Sequence, residues 1–310
     1  MIQIRRLVWH PNNFKPLVCL LLAGIVAPHS ICAGESAASY DVQENVVYAE
    51  VHGIGLLADI FTPKADKNGA AIVEVASGAW KSDRGKIRDL TKARVFEIMC
   101  DRGYVVFAIR PGSISKFSAA EMVDHVERGI AWAKSQAESY GFDKKRVAIM
   151  GASAGGHLAS LTALANGRAT GDDDASVAAA GIFFPPTDFT NYGGLKLDPR
   201  QENQLGQFVR RLAFPEGVDG LDDEAILERL IQISRARQVS EKAPPFVLIH
   251  GTADFMVPLQ QSQVMLSALQ EKQVPAELLI KQGGGHPWPT VDEEVAVMAD
   301  WFDKQLKSPE

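Results

Sequence analysis

Apolar residues arrive in two rhythms along this chain. Short continuous runs recur at Ala70–Ala76, Tyr104–Ile109, Arg146–Gly151, Val177–Phe184, Phe246–Gly251 and Ala276–Lys281. Runs of this length without polar alternation predict strands buried on both faces, the habit of a parallel sheet. Between them a second period takes over. In Ala119–Glu138, Met122, Val123, Val126, Ile130 and Ala133 recur at three- and four-residue steps, which predicts a helix with one apolar stripe. Similar stripes cover Leu90–Cys100, His157–Ala165, Gln260–Gln270 and Val291–Leu306. Ahead of all these, Asn45–Val51 and Leu56–Phe61 flank His52–Gly55 and read as an antiparallel hairpin. Strands alternating with helices imply crossover connections and an α/β fold. The expectation is one domain over 40–310, with a mostly parallel sheet of about eight strands flanked by helices.

One interval breaks the alternation. Between Phe184 and Phe246 no good core strand occurs, and the segment 222–237, "DDEAILERLIQISRAR", is helical in pattern. This predicts a helical insertion over about 189–243, lying above the carboxyl ends of the strands, where α/β proteins bind ligands.

Composition adds bounds. The chain has 46% hydrophobic and 23% charged residues, an ordinary globular balance. Its first part reads as a secretory signal over 1–33: Arg5, Arg6 and Lys15 precede or border the apolar run Leu17–Ala27, and small residues follow Pro28. The run is too short to span a bilayer as a helix. Cleavage between residues 33 and 38 is expected, with a periplasmic or secreted product. Losing three positive charges and no acids makes the net charge of −6 more negative still. Neither nucleic acid nor a membrane is expected as a partner. Cys19 and Cys32 leave with the signal, so Cys100 remains alone and no internal disulfide is expected. The acidic "GDDD" at 171–174 lacks calcium-loop spacing and reads as a solvated loop.

The chemistry gathers where strands end. "GASAGGH" puts Ser153 directly after an apolar strand and directly before a helical stripe. A turn this tight strains the serine backbone and brings strand and helix so close that bulky neighbours would clash. Gly151, Ala152, Ala154, Gly155 and Gly156 meet that demand, which is more than a helix-capping serine needs. A serine nucleophile requires a base, and the base an orienting carboxylate. Of seven histidines, His286 stands on the glycine-rich loop "KQGGGHPWP" after the last strand. His157 lies just past the serine, and His250 ends a strand, where a structural hydrogen bond is the simpler role. Asp254 and Asp188 both follow strands. Asp254 is favoured, since its loop neighbours that of His286 in the expected sheet order.

These residues carry a resemblance. "GFDKKRVAIMGASAGGHLASLTAL", "KFSAAEMVDHVERGIAWAKSQA", "PPFVLIHGTADFMVP" and "GGGHPW" resemble the α/β-hydrolase superfamily. The likeness is to its esterase/lipase branch related to hormone-sensitive lipase, and to bacterial feruloyl and acetyl-xylan esterases. It implies a serine esterase with Ser153 as nucleophile, His286 as base and Asp254 as orienting acid, working without metal or cofactor. One motif departs. Where the family reads His-Gly-Gly-Gly-Trp, this chain reads Ala76-Ser77-Gly78-Ala79-Trp80. Backbone N–H groups of Gly78, Ala79 and Ala154 are expected to form the oxyanion hole, with Ser77 or Trp80 bracing the loop. Trp80, Phe255, Met256 and Trp288 adjoin the catalytic loops and are expected at the pocket rim. The implied substrate is a small-molecule or carbohydrate-linked ester with a short acyl group, or a phenolic one. A peptidase of the prolyl-oligopeptidase type and a binding protein on an inactive scaffold are the competing readings. The first normally carries a propeller, for which the chain before the first buried strand is too short, and the second commonly lacks a triad member.

Overall fold

The computed structural model describes residues 38–165 and 175–307. The expected signal segment with Cys19 and Cys32, its cleavage point up to residue 37, and the "GDDD" stretch lie outside the described residues. Eight strands form one sheet in the order β1-β2-β4-β3-β5-β6-β7-β8. They are β1 (Tyr40–Val51), β2 (Ile54–Pro63), β3 (Ala71–Val75), β4 (Val105–Arg110), β5 (Val147–Ala152), β6 (Ala179–Phe183), β7 (Phe246–Gly251) and β8 (Ala276–Lys281). Only β2 runs antiparallel to its neighbours, and β3 through β8 are parallel. Every residue of β3, β4, β6 and β7 is buried, as continuous apolar runs require.

Side-chain alternation divides the core in two. Val73, Phe107 and Ile149 face α3 (Ala119–Ser135), α5 (Ala154–Ala165) and α8 (Gln260–Glu271). Ile72, Val106 and Ala148 face α1 (Arg84–Lys92), α2 (Val95–Asp101) and α9 (Val291–Gln305). Cys100 is buried on α2, where desolvation pushes its thiol up to about 12. The single helix expected over Leu90–Cys100 is two helices. Arg94 turns the chain through a left-handed conformation, φ 55°, and its guanidinium pairs with Glu97 on α2 and Asp292 on α9. Ser118 starts α3 with a reciprocal capping box to Glu121.

The insertion leaves the sheet at the end of β6 and returns at β7. It holds the expected helix as α7 (Asp223–Gln232), and also α6 (Gln204–Ala213), which the sequence pattern missed. The short α4 (Ala137–Tyr140) follows α3 after one turn residue. Among the described residues no helix is long and apolar enough to cross a membrane.

Candidate active site

Ser153 sits between β5 and α5 with φ 55°, a left-handed backbone that a serine adopts only under constraint. The constraint is steric. A Cβ on Gly151 would lie 2.6 Å from the Gly155 backbone, and one on Gly155 would lie 2.2 Å from the Val75 carbonyl. Strand and helix cross here at backbone contact, and Gly155 N–H donates to the Ser77 carbonyl.

The loops after β7 and β8 bring two further side chains to this turn. His286 Nε2 lies 2.8 Å from Ser153 Oγ, and His286 Nδ1 lies 2.6 Å from Asp254 Oδ2. The other carboxylate oxygen of Asp254 accepts the Met256 and Val257 N–H groups at 2.9 Å each. Buried His250 places Nε2 3.4 Å from Asp254 Oδ2 and on the Val257 carbonyl, while its Nδ1 meets Ser262 Oγ. Burial alone would raise the Asp254 carboxyl. Hydrogen bonds from His250, His286 and the Val257 amide outweigh it and hold the group well below the usual carboxylate range. Asp188 is elsewhere. It accepts Thr190 and Arg237 and so ties the insertion together.

The oxyanion loop corrects one expectation. Gly78 N–H is already given to the Lys81 carbonyl at 2.9 Å, in a small bridge that also returns Lys81 N–H to Gly78. Ala79 and Trp80 follow with φ of 48° and 55°. The amides that remain available are Ala79, which borders the cavity beside Ser153, and Ala154, which opens α5 and has no acceptor within its own helix. Bracing falls to Trp80, not to Ser77, whose hydroxyl has no hydrogen-bond partner among the described residues. Trp80 Nε1–H donates to His157 Nδ1 at 2.9 Å, which leaves His157 Nε2–H to donate to the Ile233 carbonyl at 2.8 Å. Burial lowers the fully enclosed His157 imidazole to about 4 and keeps it neutral.

A cavity of about 390 Å³ opens over Ser153 and His286. Trp80, Met256 and, from the insertion, Phe189, Tyr192, Leu197 and Phe208 form much of its wall. Two expected rim residues are not part of it. Phe255 is 96% exposed and points to solvent, and Trp288 is buried beneath the site. Trp288 donates to Glu294 and packs on Phe184, whose ring lies 4.5 Å from that of His286. Adjacency in sequence does not set side-chain direction: Met256 and Val257 border the cavity while Phe255 beside them does not, and His286 and Pro287 border it while Trp288 does not. The insertion's aromatic residues were not legible as pocket walls, because nothing local distinguishes Phe208 from any other helix core residue. Among the described residues no group of three or more His, Cys, Asp or Glu is placed to hold a metal ion.

A serine on a strand-to-helix turn, a histidine and a buried aspartate on the two following strand ends, in this sheet order, define the α/β-hydrolase fold with its reaction centre. The sequence model of the BD-FAE family matches residues 58–269, and the chain belongs to that family. Among curated relatives, it is 28% identical to the probable carboxylic ester hydrolase LipM of Mycobacterium tuberculosis, over 67% of this chain and 47% of that protein. It is 28% identical to the probable isoprenylcysteine alpha-carbonyl methylesterase ICMEL1 of Oryza sativa, over 80% and 57%. The chain thus spans 47% and 57% of the length of these two relatives. Among solved structures, a truncated carbohydrate esterase from gut microbiota superposes with TM-score 0.74 at 22% identity, over 87% of this chain and 98% of that one. The thermophilic esterase Est2 of Thermogutta terrifontis, with propionate bound, gives 0.65 at 21% identity, over 88% and 97%.

Proposed function

We propose that this protein is a serine hydrolase of carboxylic esters. The observation that carries the reading is the unbroken line Ser153 Oγ, His286 Nε2, His286 Nδ1, Asp254 Oδ2 at 2.8 and 2.6 Å, opening into an apolar cavity. His286 takes the Ser153 proton as Oγ attacks the ester carbonyl, and Asp254 fixes the tautomer and supports the imidazolium that forms. The Ala79 and Ala154 amides, with the start of α5, stabilise the oxyanion. His286 then protonates the departing alkoxide, leaving an acyl group on Ser153. Water, deprotonated by the same histidine, attacks that acyl-enzyme and releases the acid.

The substrate is a short-chain ester, carbohydrate-linked or phenolic on its alcohol side. Supporting this, the cavity is walled by aromatic rings and has a volume near the lower end for ligand sites. Two structures of the Thermogutta terrifontis esterase, similar in fold, have propionate and butyrate bound, and another protein of similar fold is a carbohydrate esterase. The basic and apolar pattern of residues 1–33 supports a reaction outside the cytoplasm. Ser153→Ala should fold normally and lose at least ~10⁴-fold in turnover on p-nitrophenyl acetate, together with labelling by a fluorophosphonate. Retention of a few per cent of wild-type turnover would remove Ser153 from the nucleophile's role.

A further inference from the structure

The cavity does not end at the nucleophile. It continues along one face of the sheet, where Glu74 on β3 and Lys86, Asp89 and Leu90 on α1 border it. Glu74 lies in register with Ala108 of β4 and Met150 of β5. Met150 precedes Ser153 by three residues, so Glu74 sits about 10 Å below the nucleophile at ~3.3 Å per strand residue. The Glu74 side chain is fully buried, and neither carboxyl oxygen has a hydrogen-bond partner among the described residues.

A buried carboxyl without a partner destabilises a core. A leucine or valine would continue β3 without that penalty, so the fold itself gives no reason for an acid at this position. Because β3 is pinned between β4 and β5, any adjustment that turns a Glu74 oxygen further into the cavity is torsional.

We propose that this arm of the cavity, between β3 and α1, is a subsite for a hydroxyl-bearing end of the substrate, with Glu74 as its hydrogen-bonding residue. The proposal rests on the ester-hydrolase reading and names a group its substrate carries. The charges facing the arm select a neutral ligand. Lys86 acts on Glu74 electrostatically and would oppose a second cation, and Asp89 would oppose an anion. Burial raises the Glu74 carboxyl to about 8, so at neutral pH it keeps a proton and both donates and accepts. A hydroxyl does the same, and the two are complementary.

The test uses two pairs of esters matched in length: methyl hexanoate with methyl 6-hydroxyhexanoate, and hexyl acetate with 6-hydroxyhexyl acetate. The first pair carries the hydroxyl on the acyl side, the second on the alcohol side. The readout is the ratio of kcat/KM, hydroxylated over plain, within each protein, so a general change in activity cancels. In one of the pairs the wild-type ratio should exceed that of Glu74→Leu by about tenfold, the worth of one hydrogen bond. Glu74→Gln should keep most of the wild-type ratio, because an amide also donates and accepts. Equal ratios for wild type and Glu74→Leu in both pairs overturn the subsite while leaving the esterase reading intact. No hydrolysis of any of the four esters by the wild type overturns the esterase reading, and the subsite with it.

Discussion

Two aspartates that look alike in sequence do different things. Asp254 is held by His250, His286 and two backbone amides, and its carboxyl stays ionised well into acid. Asp188 bonds Thr190 and Arg237 and touches none of the three side chains at the turn. Asp254→Asn should therefore lower kcat by ~10³–10⁴-fold through the wrong tautomer of His286. Asp188→Asn should leave kcat within a few-fold and lower the melting temperature. Turnover and thermal scans on both variants check this, and the opposite ranking would transfer the orienting role to Asp188.

At the scale of elements, the oxyanion loop, the start of α5 and the insertion are joined through one imidazole. His157, four residues into the turn from Ser153, accepts from Trp80 and donates to Ile233 at the end of α7. Its folded-state value near 4 lies below the ~6.5 of an unfolded histidine. The unfolded chain thus takes up a proton first, and stability falls as pH drops from about 6.5 to 4. His157→Gln should weaken that fall by up to ~1.4 kcal/mol per pH unit, measured by urea unfolding between pH 7 and 4.5. An unchanged slope would show that His157 takes its proton in the fold.

Much at this scale was legible beforehand. The parallel strands announced themselves as unbroken apolar runs, and the Ser153 turn by five small residues whose purpose is contact between backbones. The break at Arg94 was not legible, because neither glycine nor proline marks it and an arginine in the left-handed region gives no sign in the sequence. Glu74 was hidden by its surroundings: a single acid inside "AAIVEVA" does not disturb the strand pattern. What the carboxyl meets there depends on α1, whose face toward the sheet no local pattern reveals.

For the whole molecule, buried His157 and buried Glu74, on opposite faces of the sheet, give stability opposite dependences on pH. His157 works against the fold in acid. Glu74 works against it as pH rises: its folded-state value of about 8 exceeds the ~4.5 of an ordinary glutamate, so the penalty grows between the two. Lys86 is the charged group that moderates it. The melting temperature of Glu74→Gln relative to wild type should rise steadily from pH 5 to 8.5. Parallel curves for the two proteins across that range would mean that Glu74 ionises inside the fold without cost.

The insertion departs from β6 and rejoins the sheet at β7, and these strands are hydrogen-bonded neighbours. The two strands are parallel, so the segment leaves at one edge of the sheet and re-enters at the other, while the serine, the histidine and the aspartate hang from other segments of chain. The roof and the reacting side chains thus occupy separable stretches of polypeptide, while the rest of the cavity wall comes from Trp80, Met256 and the β3–α1 side. Exchanging the roof would meet more than one coupling: Tyr192 donates to the Met256 carbonyl beside Asp254, and the Ile233 carbonyl holds His157. A segment that replaces 189–243 must present a carbonyl to His157 Nε2 where Ile233 does now, or the oxyanion loop loses its anchor along with the old roof.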